Sequence, residues 1–391
     1  MRGIFALPLD LCYNAAGQAD DATWRRTHGQ SDRTEHCKEE RMKRTRVCAS
    51  VALVAVTMLS GAALLGADAE KAKFEPPDGK VLHGAGQSPD AFDEYYELLK
   101  DTPPAIYMIY AGLRPPRDHA AWHEPQTPGE EQRAKVISHI PGKLAHYVEK
   151  YPDLIPQIGM DFVGFDDAVA AGRCDDQIRA GARYVKTLRV PVFIRPGFEF
   201  NARGRGYGPE HYPDAFRSIV DIYREEGTDN VAFVWCYLPA RGRRDGPSFM
   251  DYYPGDDYVD WWSTDLFAVG SFWRESNLAF LEEARKHGKP VMIAESTPQF
   301  VGVTDGHRDW TTWFETYFRF IELHPNIKAF CYINWDWSKY KQWNDWGEAR
   351  LSQNEAVLRS YRREMKSERY LHASHGIFAA LGYEPPPAES E

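Results

Sequence analysis

Several familiar signatures are missing from this chain. No Cys-x-x-Cys or His-Glu-x-x-His pattern occurs and the histidines are scattered, so no metal site is expected. There is no GxGxxG after the first apolar run and no P-loop, which disfavours a nucleotide-binding sheet. "GRGYG" (204–208) does not fill that gap, because Pro and aromatics follow it. No GxSxG is present, which argues against a serine hydrolase on an α/β sheet. Long basic runs are absent and the formal net charge is −10, so nucleic acid is not the expected partner. No cofactor is implied. The chain also lacks internal repeats and low-complexity linkers.

Cysteine is sparse. Six occur in 391 residues, and three of them precede residue 70. The remaining Cys174, Cys236 and Cys331 allow at most one disulfide. Cys236 and Cys331 fall inside apparent strands, where a buried thiol is the expected state.

The first 69 residues read as a processed leader. Lys43, Arg44 and Arg46 form a positive region, Ala49 to Gly66 is uncharged and apolar, and Ala67-Asp68-Ala69 is a small-residue cleavage pattern. Residues 42–69 are therefore expected to be a secretory signal peptide, which places the mature chain outside the cytoplasm, secreted or periplasmic. An uncleaved signal anchor is the alternative, since the run approaches the ~20 residues that span a bilayer. Residues 1–41 are polar and patternless and read as an upstream extension ahead of a start at Met42. After cleavage, no membrane association is expected. Residues 70–384 are expected to form one domain, with 385–391 a disordered tail.

Within that domain, short apolar runs alternate with helical patterns. Eight strand candidates are 80–86, 105–113, 154–162, 190–197, 230–238, 257–267, 289–295 and 327–335. Amphipathic stretches lie between them at 165–188, 209–227, 277–289 and 310–324. The strands are too continuously apolar for burial on one face alone and suit parallel strands covered by helices. Eight such repeats over roughly 300 residues predict a single (β/α)8 barrel, with a doubly wound open sheet as runner-up.

Two strands end in carboxylates. "PVFIRPGFEFN" (191–201) delivers Glu199 and "KPVMIAESTPQ" (289–299) delivers Glu295. Catalytic groups of such barrels sit at the C-terminal ends of the strands. Phe193, Arg195, Gly197 and Glu199 share one parity, as do Val291, Ile293 and Glu295. If those faces point inward, the carboxylates converge over the barrel mouth. Two convergent carboxylates are the minimum equipment for glycoside hydrolysis. The competing reading of Glu199 is a barrel-end residue paired with Arg195.

At these residues the chain resembles the retaining (β/α)8 glycoside hydrolases, and within them family 26, the β-mannanase family. "RPGFEFNA" (195–202) matches the family's strand-four motif at Arg195, Pro196, Glu199 and Asn201. "YYPGDDYVD" (252–260) matches the loop before strand six. "VWCYLP" (234–239), "HGAGQ" (83–87) and "INWDW" (333–337) resemble the ends of strands five, one and eight. The resemblance spans about residues 80–340. It implies a double displacement with Glu199 as acid/base and Glu295 as nucleophile, on a β-linked polysaccharide or oligosaccharide, mannan being the family's commonest.

Arg195, Asn201, Trp235, Tyr237, Asp265, Trp335, Trp337 and Gln87 are the expected substrate-binding residues, with Tyr207 a possible subsite wall. Three departures stand out. Phe198 replaces the family's His before the acid/base, Ala202 replaces a Gly, and "STDLF" (263–267) offers Asp265 where a strand-six Tyr supports the nucleophile. A carbohydrate-binding barrel without turnover is the alternative function. Oligomeric state is not legible.

Overall fold

The computed structural model describes residues 71–115, 141–202, 207–239 and 246–385. The expectations for residues 1–69, for the tail from 386 and for most of the loops 203–206 and 240–245 lie outside the described residues.

Eight parallel strands close on themselves. They are β1 (Val81–Gly86), β2 (Ile106–Gly112), β3 (Ile155–Asp161), β4 (Val192–Pro196), β5 (Val231–Tyr237), β6 (Trp261–Leu266), β7 (Val291–Ser296) and β8 (Ile327–Ile333). Each pairs with the next, and β1 pairs with both β8 and β2, which removes the edges and makes the sheet a barrel. A two-residue strand, β9 (Tyr370–Leu371), adds to β1 through Val81 and Leu82. The single (β/α)8 barrel expected from the alternation is the architecture observed.

The apolar side chains fall into two layers. Leu82, Met108, Phe193, Val234, Trp261, Met292 and Cys331 fill the barrel interior. Val81, Ile109, Ile194, Trp235, Trp262, Val291 and Phe330 face outward against the helices. Burial on both sides explains the nearly unbroken apolar strands. Helices Pro89–Leu98, Tyr212–Glu225, Glu275–Lys286 and Glu355–Met365 belong to the outer ring. Their starts are written locally. Ser88 accepts from the Ala91 N–H ahead of Pro89, and Asn354 accepts from Ala356 and Val357.

Two boundaries differ from expectation. The amphipathic stretch 165–188 is two helices, Asp166–Ala170 and Asp175–Thr187, because Gly172 turns the chain at φ +78. β6 starts at Trp261 rather than 257, since Gly255 at φ +109 opens a turn and the Asp260 carboxylate accepts from the Phe233 N–H at 2.7 Å.

Among the described residues no helix is long and apolar enough to cross a membrane, and no His, Cys, Asp and Glu group is arranged to hold a metal ion. Cys174, Cys236 and Cys331 are all free and buried.

Candidate active site

Arg195 lies on the inward face of β4 and is wholly buried. The strand stops at Pro196, so the alternation that would carry Glu199 inward stops with it. A tight turn takes over. Gly197 has φ +59, and a Cβ there would lie 2.5 Å from the Tyr212 ring, so this position needs glycine. Glu199 itself has φ +51, a conformation that costs a non-glycine residue roughly 1–2 kcal/mol.

The surroundings hold it there. Gly197 N–H donates to Met160 O and Phe200 N–H to Cys236 O. Phe200 stacks on Trp235, ring centroids 4.6 Å apart. Asn201 clasps Leu238, donating from Nδ2 to its carbonyl and accepting its N–H at Oδ1. Asn201, expected to bind substrate, thus uses both amide atoms to tie the Glu199 turn to β5. Glu199 ends up 7% exposed.

Glu295 also arrives by a different route from the one its parity implied. Val291 and Ile293 face the helices, while Met292 and Ala294 fill the interior. Simple alternation would then send Glu295 outward. Instead β7 carries one extra residue. Thr264 pairs with Ile293 but Asp265 pairs with Glu295, and against β8 the step from Ile293 to Ser296 spans only Phe330 to Tyr332. This bulge turns both Ala294 and Glu295 inward. Gln157, inside the barrel on β3, donates to Ala294 O at 3.4 Å and steadies the irregular segment. Ser296 returns outward, bonded to Tyr317 and to Cys331 O.

The Glu295 route ends at Arg195. Its Nη2 donates to Glu295 Oε1 at 2.7 Å. Its Nη1 faces Asp265 Oδ2 at 3.4 Å and Cys236 Sγ at 3.4 Å. Phe198 lies under the guanidinium, 5.2 Å from its ring centroid, and packs against Tyr110 of β2. Gly159 of β3 leaves room for all three, because a Cβ there would come within 3.1 Å of Arg195 Nη2 and Phe198 and 2.9 Å of Tyr110.

The electrostatics follow from this geometry. Burial pushes the Glu295 carboxyl up; Arg195 pulls it down, the charge of Glu199 adds to the rise, and the Tyr110 hydroxyl stabilises the anion. Burial, then the Glu295 charge, push Asp265 far above the ordinary carboxylate range. A carboxylate held by a guanidinium and a phenol can stay ionised, and a second carboxyl acting on it through space disfavours losing both protons.

The other expected residues divide. Trp335 is partly buried past the end of β8, its Nε1–H donating to Tyr340 Oη. Trp337 stacks behind it at 5.7 Å, is buried, and donates to Thr297 Oγ1, so it supports Trp335 rather than lining the cleft. Trp235 and Tyr237 are corrected. They lie on the outward face of β5 against Phe280, whereas Val234 and Cys236 face the interior. Tyr207 is likewise core, packed on Phe162 and Tyr212. Asp265 is 1% exposed and meets Arg195. Gln87 follows β1 directly, half-buried on the mouth rim.

Tyr110 and Gly159 were missed. Tyr110 carried a signal, a hydroxyl-bearing ring at the C-terminal end of a strand. Gly159 carried none.

Comparison with known proteins bears on these residues. The model of glycosyl hydrolase family 26 matches residues 163–298, from just after β3 to just past β7, with both glutamates inside. This chain is a glycosidase that resembles family 26 over that segment. A beta-1,3-xylanase of Alcaligenes sp is 28% identical to it over 83% of this chain and 71% of the relative. A beta-1,3-xylanase of Vibrio sp is 26% identical over 83% and 72%. Among solved structures, the Bacillus subtilis mannanase BCman shares the fold at TM-score 0.52, with 16% identity over 76% of this glycosidase and 88% of that chain.

Proposed function

We propose that this glycosidase is exported and cleaves a β-linked polysaccharide internally, with retention. Glu295 attacks the anomeric carbon while Glu199 protonates the departing glycosidic oxygen, forming a glycosyl–Glu295 ester and a free alcohol. Glu199, now ionised, takes a proton from water. The water oxygen attacks the anomeric carbon and Glu295 leaves as the carboxylate. One observation carries this reading: Arg195 clamps Glu295 at 2.7 Å in a buried site that the Glu199 charge also reaches.

The resemblance read from the sequence pointed first to mannan. The two relatives that span most of the chain are named for beta-1,3-xylan, which makes that polymer the first choice and mannan the second. Buried Phe198 underlies Arg195 and offers a sugar no hydrogen bond, so the apolar residue before Glu199 serves the clamp. Trp335 supplies a face on which an apolar sugar surface stacks.

The test is release of reducing ends from beta-1,3-xylan, beta-1,4-xylan, mannan and mixed-linkage glucan. Turnover of none of them would sink the reading. Glu295→Ala should abolish turnover. Glu199→Ala should still be glycosylated by aryl glycosides with good leaving groups, and azide should speed its release. Azide rescue that runs the other way round would exchange the two roles. Export is read from residues 42–69, and a secreted product whose N-terminus is not near Glu70 would refute it.

A further inference from the structure

Three carboxyls crowd the mouth of this barrel: Glu199, Asp265 and Glu295 are 7%, 1% and 6% exposed. Two of them, Asp265 and Glu295, share the guanidinium of Arg195. A single guanidinium shared by two buried carboxyls cannot fully compensate both as anions, because a buried anion without a close cation forfeits its hydration without recompense. The distances show where the charge is engaged. Arg195 Nη2 meets Glu295 Oε1 at 2.7 Å, the length of a charge-assisted bond, whereas Nη1 stands 3.4 and 3.5 Å from the two Asp265 oxygens.

The neighbours of Asp265 agree. From β5 the Cys236 thiol donates to Oδ2 at 3.3 Å. Across the interior, Glu295 of β7 and Glu199 of the turn after β4 present negative charge, opposed by Arg195. Tyr110 of β2 and Cys331 of β8 face the same cluster, both held neutral by burial above all. Oδ2 therefore has the closer donors, and Oδ1 is left to carry a proton.

We propose that Asp265 is a positioning residue held as the neutral carboxylic acid: it fixes the Nη1 end of Arg195 while leaving the guanidinium's charge to Glu295. An ionised Asp265 would compete for Arg195 and raise the cost of ionising Glu295. A neutral acid fixes the geometry without that competition, as an apolar site can keep a carboxylic acid protonated at pH 7. The inference rests on the same site as the proposed reaction, but its primary readout needs no turnover.

The experiment compares the infrared spectrum of the wild-type protein at neutral pH with those of Asp265→Asn and Glu199→Gln. Asp265→Asn is close to isosteric, and a melting curve checks that it folds. The expected result is that Asp265→Asn removes one protonated-carboxyl C=O stretch, distinct from any band removed by Glu199→Gln. Loss of a carboxylate stretch in its place overturns the proposal. If Asp265→Asn does not fold, site-selective ¹³C labelling of aspartate in the wild-type protein reads the same state. A buried aspartate carboxyl shift that stays at its protonated value through neutral pH supports the proposal, and its absence overturns it. A second arm uses turnover, whatever its level. With a neutral Asp265, the alkaline limb of the kcat/KM–pH profile keeps its position in Asp265→Asn. Removal of a true negative neighbour would move it down by about one unit or more, and that would also overturn the proposal.

Discussion

Two buried polar clusters touch the same barrel and solve burial in opposite ways. At the mouth, Arg195, Asp265, Glu295 and Glu199 concentrate charge, and Arg195 Nε has no hydrogen-bond partner. Between the barrel wall and the helix ring, a second cluster runs through His83, Tyr95, Tyr361 and His372. His83 Nε2 meets Tyr95 Oη at 2.6 Å, Tyr95 Oη meets Tyr361 Oη at 2.7 Å, and His83 Nδ1 meets His372 Nδ1 at 3.0 Å. His372 Nε2 then meets Met365 O at 2.8 Å. That chain is linked from end to end and carries no fixed charge. The wall cluster joins β1, two helices and the segment after β9, a structural role. The mouth cluster leaves Arg195 Nε unpaired, and buried polar groups left partly paired mark function more often than stability.

The comparison breaks most severely at Arg195. Arg195→Met leaves Glu295 buried without its cation, which should cost about 3–5 kcal/mol of stability. Turnover should fall by orders of magnitude, because the nucleophile then resists ionising. A melting curve together with kcat/KM checks both, and a variant as active as wild type would remove Arg195 from the mechanism. Gly159→Ala should come next. Its Cβ would press on Arg195 Nη2, the atom that holds Glu295, and overpacking of this kind costs about 1–3 kcal/mol. The expected signature is a lower kcat with little change in KM.

The two clusters should also answer pH with opposite sign. Burial, then His372, hold His83 well below the ordinary histidine value, so the unfolded chain binds the proton that the native state refuses. Stability from that cluster is present above about pH 6.5 and is lost as pH falls below it. At the mouth, burial raises Glu295 and Asp265, so the native state holds protons more tightly than the unfolded chain. Their contribution improves as pH falls and is lost as pH rises through the native-state values. Denaturant midpoints across pH 8 to 5 separate the two. His83→Phe keeps a ring to stack on Phe330 but cannot bind a proton, and should flatten the fall below pH 6.5. An unchanged slope would place the acid sensitivity elsewhere.

Tyr110→Phe should have the smallest effect. Removing the hydroxyl that stabilises ionised Glu295 should move the acid limb of kcat/KM to higher pH and leave the melting temperature nearly unchanged. A limb that stays in place would reduce Tyr110 to packing.

Much of this molecule was written along the chain. Apolar runs alternating with amphipathic stretches pointed to eight parallel strands covered by helices, since strands buried on both faces suit a closed barrel or a doubly wound sheet, and the eight repeats favoured the barrel. The position of Glu199 and Glu295 at strand ends determined that both would reach the mouth. The motif around Arg195 pointed to the strand end where Arg195 meets Glu295. Which face of a strand looks inward is not written there, because both faces are apolar; the late position of Trp235 and Tyr237 on β5 points to the cleft, yet both side chains pack against the helix layer. Only the closed barrel decided the rest. The extra residue at Ala294 exists only relative to the registers of β6 and β8. The left-handed turn at Glu199 holds because Met160, Cys236 and Leu238 of neighbouring strands bond it. Arg195 has Glu295 and Asp265 as partners, rather than the glutamate four residues along its own chain, because strands four, six and seven converge there, and convergence across a barrel is a property of closure that no local stretch of sequence contains.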